Sequence, residues 1–179
     1  FTVGQAAYLL GRQQVLAQQI ARSFMAVELR MEVHSYKNML FEGVNLYNDN
    51  LKRLEDFYVN DEVAAAKDEM EEAWDDFYKM IMDAPKGEEV LELVNLAYDL
   101  LEKGDETIQA LERYAIAEEG DKVDLTALKM LKMATRQNAL SQHAVLYYLA
   151  FWNGVKVSDF FSRYYSVISE YEVNFADIA

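Results

Sequence analysis

The sequence predicts an all-α protein, an up-and-down helical bundle of about six helices. Three observations carry that prediction. One proline and seven glycines in 179 residues leave few places for the chain to break, which favours long helices over short strands. Apolar residues recur at intervals of three and four along most of the length, the spacing of one helical face. The chain is 52% hydrophobic and 13% aromatic, too apolar for disorder and sufficient to build a substantial core at this size.

Helix one is predicted from about Thr2 to Arg30. Val3, Ala6, Leu10, Ala17, Ile20, Phe24 and Val27 form one buried row, and Leu9, Arg12, Leu16 and Gln19 form a second beside it. Two rows require neighbours on two sides, so this helix is expected to be central. A break at Glu32-Val33-His34-Ser35 leads to helix two, about Ser35 to Tyr58. Asn60 or Asp61 caps helix three. Its apolar row from Val63 to Ile81 opposes an acidic face with Glu71-Glu72 and Asp75-Asp76, a solvated face rather than a carboxylate site, and Pro85 ends it. Helix four, about Glu88 to Glu118, holds a heptad register through Gly104, so one long helix is expected. Past the break at Glu119-Gly120-Asp121, Asp124 caps helix five, about Leu125 to Trp152. Asn153-Gly154 turns the chain, and Ser158 caps helix six, which runs to the end.

The chain reads as a single helical-bundle domain over residues 1–179, with an internal duplication. Repeat A spans about 1–58, repeat B about 125–179, and an acidic helical hairpin, about 61–118, lies between them. The repeat is carried by Arg12-Gln13-Gln14-Val15-Leu16-Ala17-Gln18 and Arg136-Gln137-Asn138-Ala139-Leu140-Ser141-Gln142, offset by 136 − 12 = 124 positions. The same offset matches Phe24 to Tyr148, Tyr36 to Phe160, Val44 to Ile168, Tyr47 to Tyr171 and Asn50 to Asn174. Helices one and two are therefore read as duplicated in helices five and six.

Net charge is −14, which disfavours nucleic acid as a partner. Residues 55–124 hold 23 acids and 6 bases, a balance of −17 that leaves +3 for the rest of the chain. Residues 1–27 and 125–158 contain no acid at all. Both Arg-Gln helices are thus locally positive in an acidic protein. No apolar run is long enough to span a membrane. The chain begins at Phe1 rather than Met, which is read as trimming from something longer. The absence of cysteine removes disulfides and thiol chemistry and fits a periplasmic domain.

The stretch Gly11-Arg12-Gln13-Gln14-Val15-Leu16-Ala17-Gln18-Gln19-Ile20-Ala21 resembles the signature of the PilJ-type sensory domain. That domain is the extracytoplasmic N-terminal module of type IV pili methyl-accepting chemotaxis transducers, and it is similar to the sensor module of nitrate/nitrite sensor kinases. The family pattern runs close to Ala-Gly-Arg-Gln-Arg-Met-Leu-Ser-Gln-Arg-Ile-Ala-Lys. The resemblance implies a periplasmic up-and-down bundle, and two copies of the Arg-Gln helix that meet and hold a small anion between them. Here both copies lie in one chain, so helices one and five would form an intramolecular pseudo-dimer. Where the pattern places its second arginine, the residue that the nitrate sensors use on nitrate, this chain has Gln14 and Asn138.

The residues expected to bind a ligand are therefore Arg12, Gln13, Arg136 and Gln137, with Gln14 and Asn138 less directly placed. Two guanidiniums brought together in an apolar bundle repel and need anions. A shared small oxyanion suits their planar fork of donors. The alternative is that each arginine reaches an acid on helix two, three or six, or extends to water. No metal, cofactor or catalytic constellation is expected: His34 and His143 lack metal-type spacing. The function expected is a non-enzymatic, periplasmic, sensor-type domain, or alternatively a soluble interaction protein that keeps the fold and binds a protein. The rings of Tyr147, Tyr148, Phe151, Trp152, Phe160, Phe161, Tyr164 and Tyr165 flank one turn, too densely for all of them to be core. Hairpin 147–165 is accordingly the expected surface for a homodimer or a protein partner.

Overall fold

The computed structural model describes residues 2–120 and 123–178. Over these residues it is all-α: α1 Val3–Glu28, α2 Val33–Glu55, α3 Asp61–Met82, α4 Glu89–Tyr114, α5 Leu125–Trp152 and α6 Val157–Ile178. Phe1 and Asp121, on which the trimmed start and part of one break were read, lie outside the described residues. No described helix is long and apolar enough to cross a membrane.

Polar side chains set the starts of α1, α3 and α5. The Thr2 hydroxyl accepts from the Gln5 amide at 3.2 Å and the Gln5 side chain accepts from the Thr2 amide at 3.0 Å, a reciprocal capping box. Asn60, rather than Asp61, caps α3 by accepting from the Val63 amide at 2.9 Å, and Asp124 caps α5 through Ala127 at 2.9 Å. Three boundaries differ from expectation. Arg30 and Glu32 adopt left-handed φ of 59° and 34°, so the chain has already turned when α2 begins at Val33. The far end of α2 stops at Glu55, where the buried Lys67 ammonium of α3 donates to the Leu54 and Phe57 carbonyls at 2.5 and 2.9 Å. A cation on the last carbonyls is what a helix C-terminus favours. Finally, α6 begins at Val157, which places Ser158 inside its first turn rather than at its cap. Helix α4 runs unbroken through Gly104, and its last turn, Ala115–Glu119, widens into a π-helix.

The central position expected of α1 is the one it occupies, packed against α2, α4 and α5, while α3 packs on α4 and α6 on α5. Gly11 lies against Thr135, Gln18 against His143, and Met25 against Asn153. Residue numbers therefore rise together, and α1 and α5 run parallel and nearly in register. Helix α4 is antiparallel to both: Gln14 meets Leu101 and Asp105, and Gln18 meets Ala97.

The core falls into two hydrophobic clusters. The smaller holds Leu9, Leu10, Leu54, Met70, Ile108 and Leu111; the larger holds Leu16, Ile20, Phe24, Tyr47, Leu101 and Leu140. Between them each of α1, α2, α4 and α5 presents polar residues, and these make the site described next.

Candidate functional site

A polar layer crosses the bundle at the level of the Arg-Gln segment. Gln13 and Gln14 are adjacent on α1 and both are buried. They face different neighbours because successive helical residues diverge by about 100°. The Gln13 amide donates to the Tyr47 carbonyl at 3.0 Å and its oxygen accepts from Asn50 at 3.3 Å. The Gln14 amide donates to the Leu101 carbonyl at 3.0 Å and to Asp105 at 2.7 Å. Room for Gln14 comes from Gly104: a Cβ there would lie 2.6 Å from the Gln14 Cγ. The glycine in the heptad register of α4 is thus a position where the α1 side chain packs closely on the α4 backbone.

The second segment is built differently. Arg136 on α5 is held by three carboxylates: Asp105 and Glu102 from α4, the latter at 2.9 Å, and Glu170 from α6. Burial disfavours its charge, but the hydrogen bond it donates to Glu102 and the charges of Glu102 and Glu170 more than reverse that, so Arg136 holds its proton more tightly than a free arginine. The network continues outward: the Tyr98 hydroxyl donates to Glu170 at 2.7 Å. Burial first, and that hydrogen bond second, push the Tyr98 phenol up. A chain of contacts therefore runs Gln14–Asp105–Arg136–Glu170–Tyr98 across α1, α4, α5 and α6. Gln137 repeats the role of Gln13: its oxygen accepts from Asn174 at 2.6 Å, as Gln13 accepts from Asn50. Asn138 is exposed.

One turn further along, Gln18 donates to the Ala97 carbonyl at 2.6 Å and bonds His143 Nδ1 at 2.7 Å. The His143 ring lies 5.2 Å from both Tyr98 and Tyr147, is fully buried, and has no hydrogen-bond partner at Nε2 among the described residues. Burial pushes its pKa down to about 3, so it is neutral. Arg22 donates to Gln142 at 2.7 Å. Gln13, Gln14, Gln18, Gln137 and Gln142 are therefore each a cross-link between helices.

The two arginines are not in equivalent settings. Arg12 is half-buried, sits 5.8 Å from the Tyr8 ring centroid, and makes no ion pair among the described residues. Arg136 has the acids that the alternative arrangement anticipated, from helix six as expected and also from helix four. Close to Arg12, the seam between α1 and α5 is tight: a Cβ on Gly11 would lie 2.7 Å from Thr135 Cγ2. The layer opens instead on the α4–α6 side. There a cleft of about 270 Å³ is lined by Asn95, Tyr98, Tyr147, Arg163, Ser166 and Glu170. Arg163 donates to Asn95 at 2.7 Å.

Sequence reasoning missed Glu102, Asp105, Glu170, Tyr98 and His143. The acids of α4 read as one more part of an acidic surface, and only the closeness of Gly104 to Gln14 turns Asp105 inward. The rings flanking the α5–α6 turn do divide as expected: Tyr147 and Phe160 are buried, whereas Tyr148, Trp152, Phe161 and Tyr165 are exposed. No family model, curated protein or solved structure matches the chain.

Proposed function

We propose that the chain is a non-enzymatic, sensor-type helical module that works outside the cytoplasm by shifting between two packings of α1, α4, α5 and α6. The observation that supports this most is the polar layer itself. It divides the core, it joins five helices, and it gathers three carboxylates around one guanidinium. Polar layers fix helix register, and a layer that exchanges partners gives a bundle two discrete states to signal with. The same reading takes α5–α6 as a second copy of α1–α2. The matching Gln13–Asn50 and Gln137–Asn174 bonds support it. So does the offset read from the sequence, which carries the α1 end at Glu28 onto Trp152 and the α2 start at Val33 onto Val157.

A small anion remains the proposed ligand, but its best-supported place is the α4–α6 cleft rather than the space between Arg12 and Arg136. Arg136 already carries its acids, whereas Arg163 faces the cleft with neutral Asn95 and Tyr147 as its partners among the described residues. An oxyanion engaging Arg163 would sit beside the outer end of the layer, where the charge of Glu170 is offset by its ion pair with Arg136 and by the Tyr98 hydroxyl. Calorimetric titration of nitrate, acetate and a small dicarboxylate tests this. Saturable binding is expected for the unmodified chain and for Arg12→Ala, and loss for Arg163→Ala. Loss confined to Arg12→Ala would move the site to α1, and no binding at all would sink the ligand.

The tight Gly11–Thr135 approach and the exposed rings of α5 and α6 favour a second reading, a soluble interaction module that binds a protein and no small ligand. Under that reading all three anions fail to bind.

A further inference from the structure

From Ala134 to the end of α5 the exposed residues form a single row: Ala134, Asn138, Ser141, Val145, Tyr148 and Trp152. Met130, one turn earlier, extends it. The large members are wide open, Met130 at 65%, Val145 at 42%, Tyr148 at 53% and Trp152 at 60% of full exposure. No residue of the row is charged, although the chain carries −14. Carried back to α1 by the repeat offset, the row becomes Leu10, Gln14, Ala17, Ala21 and Phe24, then Glu28. The first five of these are buried, and Gln14 among them lies against Gly104 of the antiparallel α4. The α5 row is thus the counterpart of a face that an antiparallel helix covers on α1.

We propose that the α5 row is covered by the α5 row of a second copy of this chain, antiparallel to it across a two-fold axis at Ser141. The side chains are complementary to themselves about that point. In such a pair Ser141 faces Ser141, Asn138 faces Val145, Ala134 faces Tyr148 and Met130 faces Trp152. Each large side chain meets a smaller or more flexible one, which lets the helices approach closely, and a thioether against an indole is a favourable contact. An isologous interface needs this reciprocity, because residue i meets j wherever j meets i. Charge selects the same face. Residues 125–158 contain no acid, so two strongly acidic molecules meet there without apposing carboxylates, which their α3 surfaces would force on them. The area extends onto α6 through a continuous set of rings, Tyr148 to Phe160 at 6.4 Å, Phe160 to Phe161 at 5.1 Å and Phe161 to Tyr165 at 6.1 Å. The pairing is independent of whether a small anion binds in the cleft.

The chain has no cysteine, so a single introduced one reports unambiguously. Ser141→Cys is expected to form a disulfide-linked dimer under mild oxidation, whereas Glu72→Cys, exposed on α3, stays monomeric. Light scattering of the unmodified chain across the micromolar range is expected to give twice the monomer mass. Val145→Glu, an exposed position that leaves the helical circular dichroism unchanged, is expected to weaken self-association at least tenfold. A monomer mass for the unmodified chain would overturn the proposal. So would a dimer indifferent to Val145→Glu, or cross-linking at position 72 as ready as at 141.

Discussion

At Arg136 three carboxylates share one guanidinium, and the stability of the layer depends on that single cation. Arg136→Met leaves Glu102, Asp105 and Glu170 facing one another. Breaking a fully buried pair costs about 3–5 kcal/mol. The Arg136 side chain keeps some contact with water at 18% exposure, so the expected loss in a urea titration at neutral pH is on the order of 2–3 kcal/mol. A loss well under 1 kcal/mol would mean that the acids simply turn to solvent. His143 makes a separate prediction. Burial lowers its pKa from 6.5 to about 3. Below 6.5 the unfolded chain takes up a proton that the folded chain refuses until about 3. The contribution of the neutral ring is therefore complete above that upper value and is lost as the pH falls, by at most about 1.4 kcal/mol per pH unit. His143→Gln, which keeps a donor for Gln18, removes this dependence. Subtracting the two urea-derived stability curves between pH 7 and pH 4 should leave a slope of that sign, and parallel curves would refute it.

Between elements, the Gly11–Thr135 approach sets the spacing of α1 and α5. Alanine is the better helix former by about 0.5–1 kcal/mol, so Gly11→Ala would stabilise an isolated helix. In the bundle its Cβ would meet Thr135 Cγ2 at 2.7 Å and Oγ1 at 2.9 Å. Thr135 cannot easily rotate away, since its hydroxyl donates to the Leu131 and Lys132 carbonyls at 3.0 Å. Overpacking of this kind costs about 1–3 kcal/mol. Gly11→Ala is expected to lower the thermal midpoint, and Gly11→Ala with Thr135→Ala to restore or raise it. A single variant more stable than the parent would show that the helices separate freely.

Over the whole molecule, what was legible in the sequence followed from local rules. Spacing of apolar residues gave six helices, the two rows of Leu10 and Leu9 gave the central place of α1, and Asn60 and Asp124 gave two starts. Ser158 misled because it has a capping side chain, yet α6 begins one residue before it. The layer was half legible. Gln13, Gln14, Arg136 and Gln137 stood out through the repeated Arg-Gln motif, but their partners did not. Glu102 and Asp105 sit in an acidic helix where nothing in the spacing separates an inward acid from a solvated one, and Glu170 is distant in sequence. Such partners are fixed by how helices cross, which no local pattern encodes. That crossing has a consequence for how the chain could have diversified. In a symmetric dimer any change at the two-fold seam appears twice and must suit both sides. With both Arg-Gln helices on one parallel pair in one polypeptide, each helix varies alone. Arg136 is held by three acids while Arg12 rests over Tyr8, and Gln14 is buried where Asn138, at the same place in the Arg-Gln motif, is exposed. A change at Arg136 therefore disturbs the whole layer, whereas a change at Arg12 disturbs only its own surroundings.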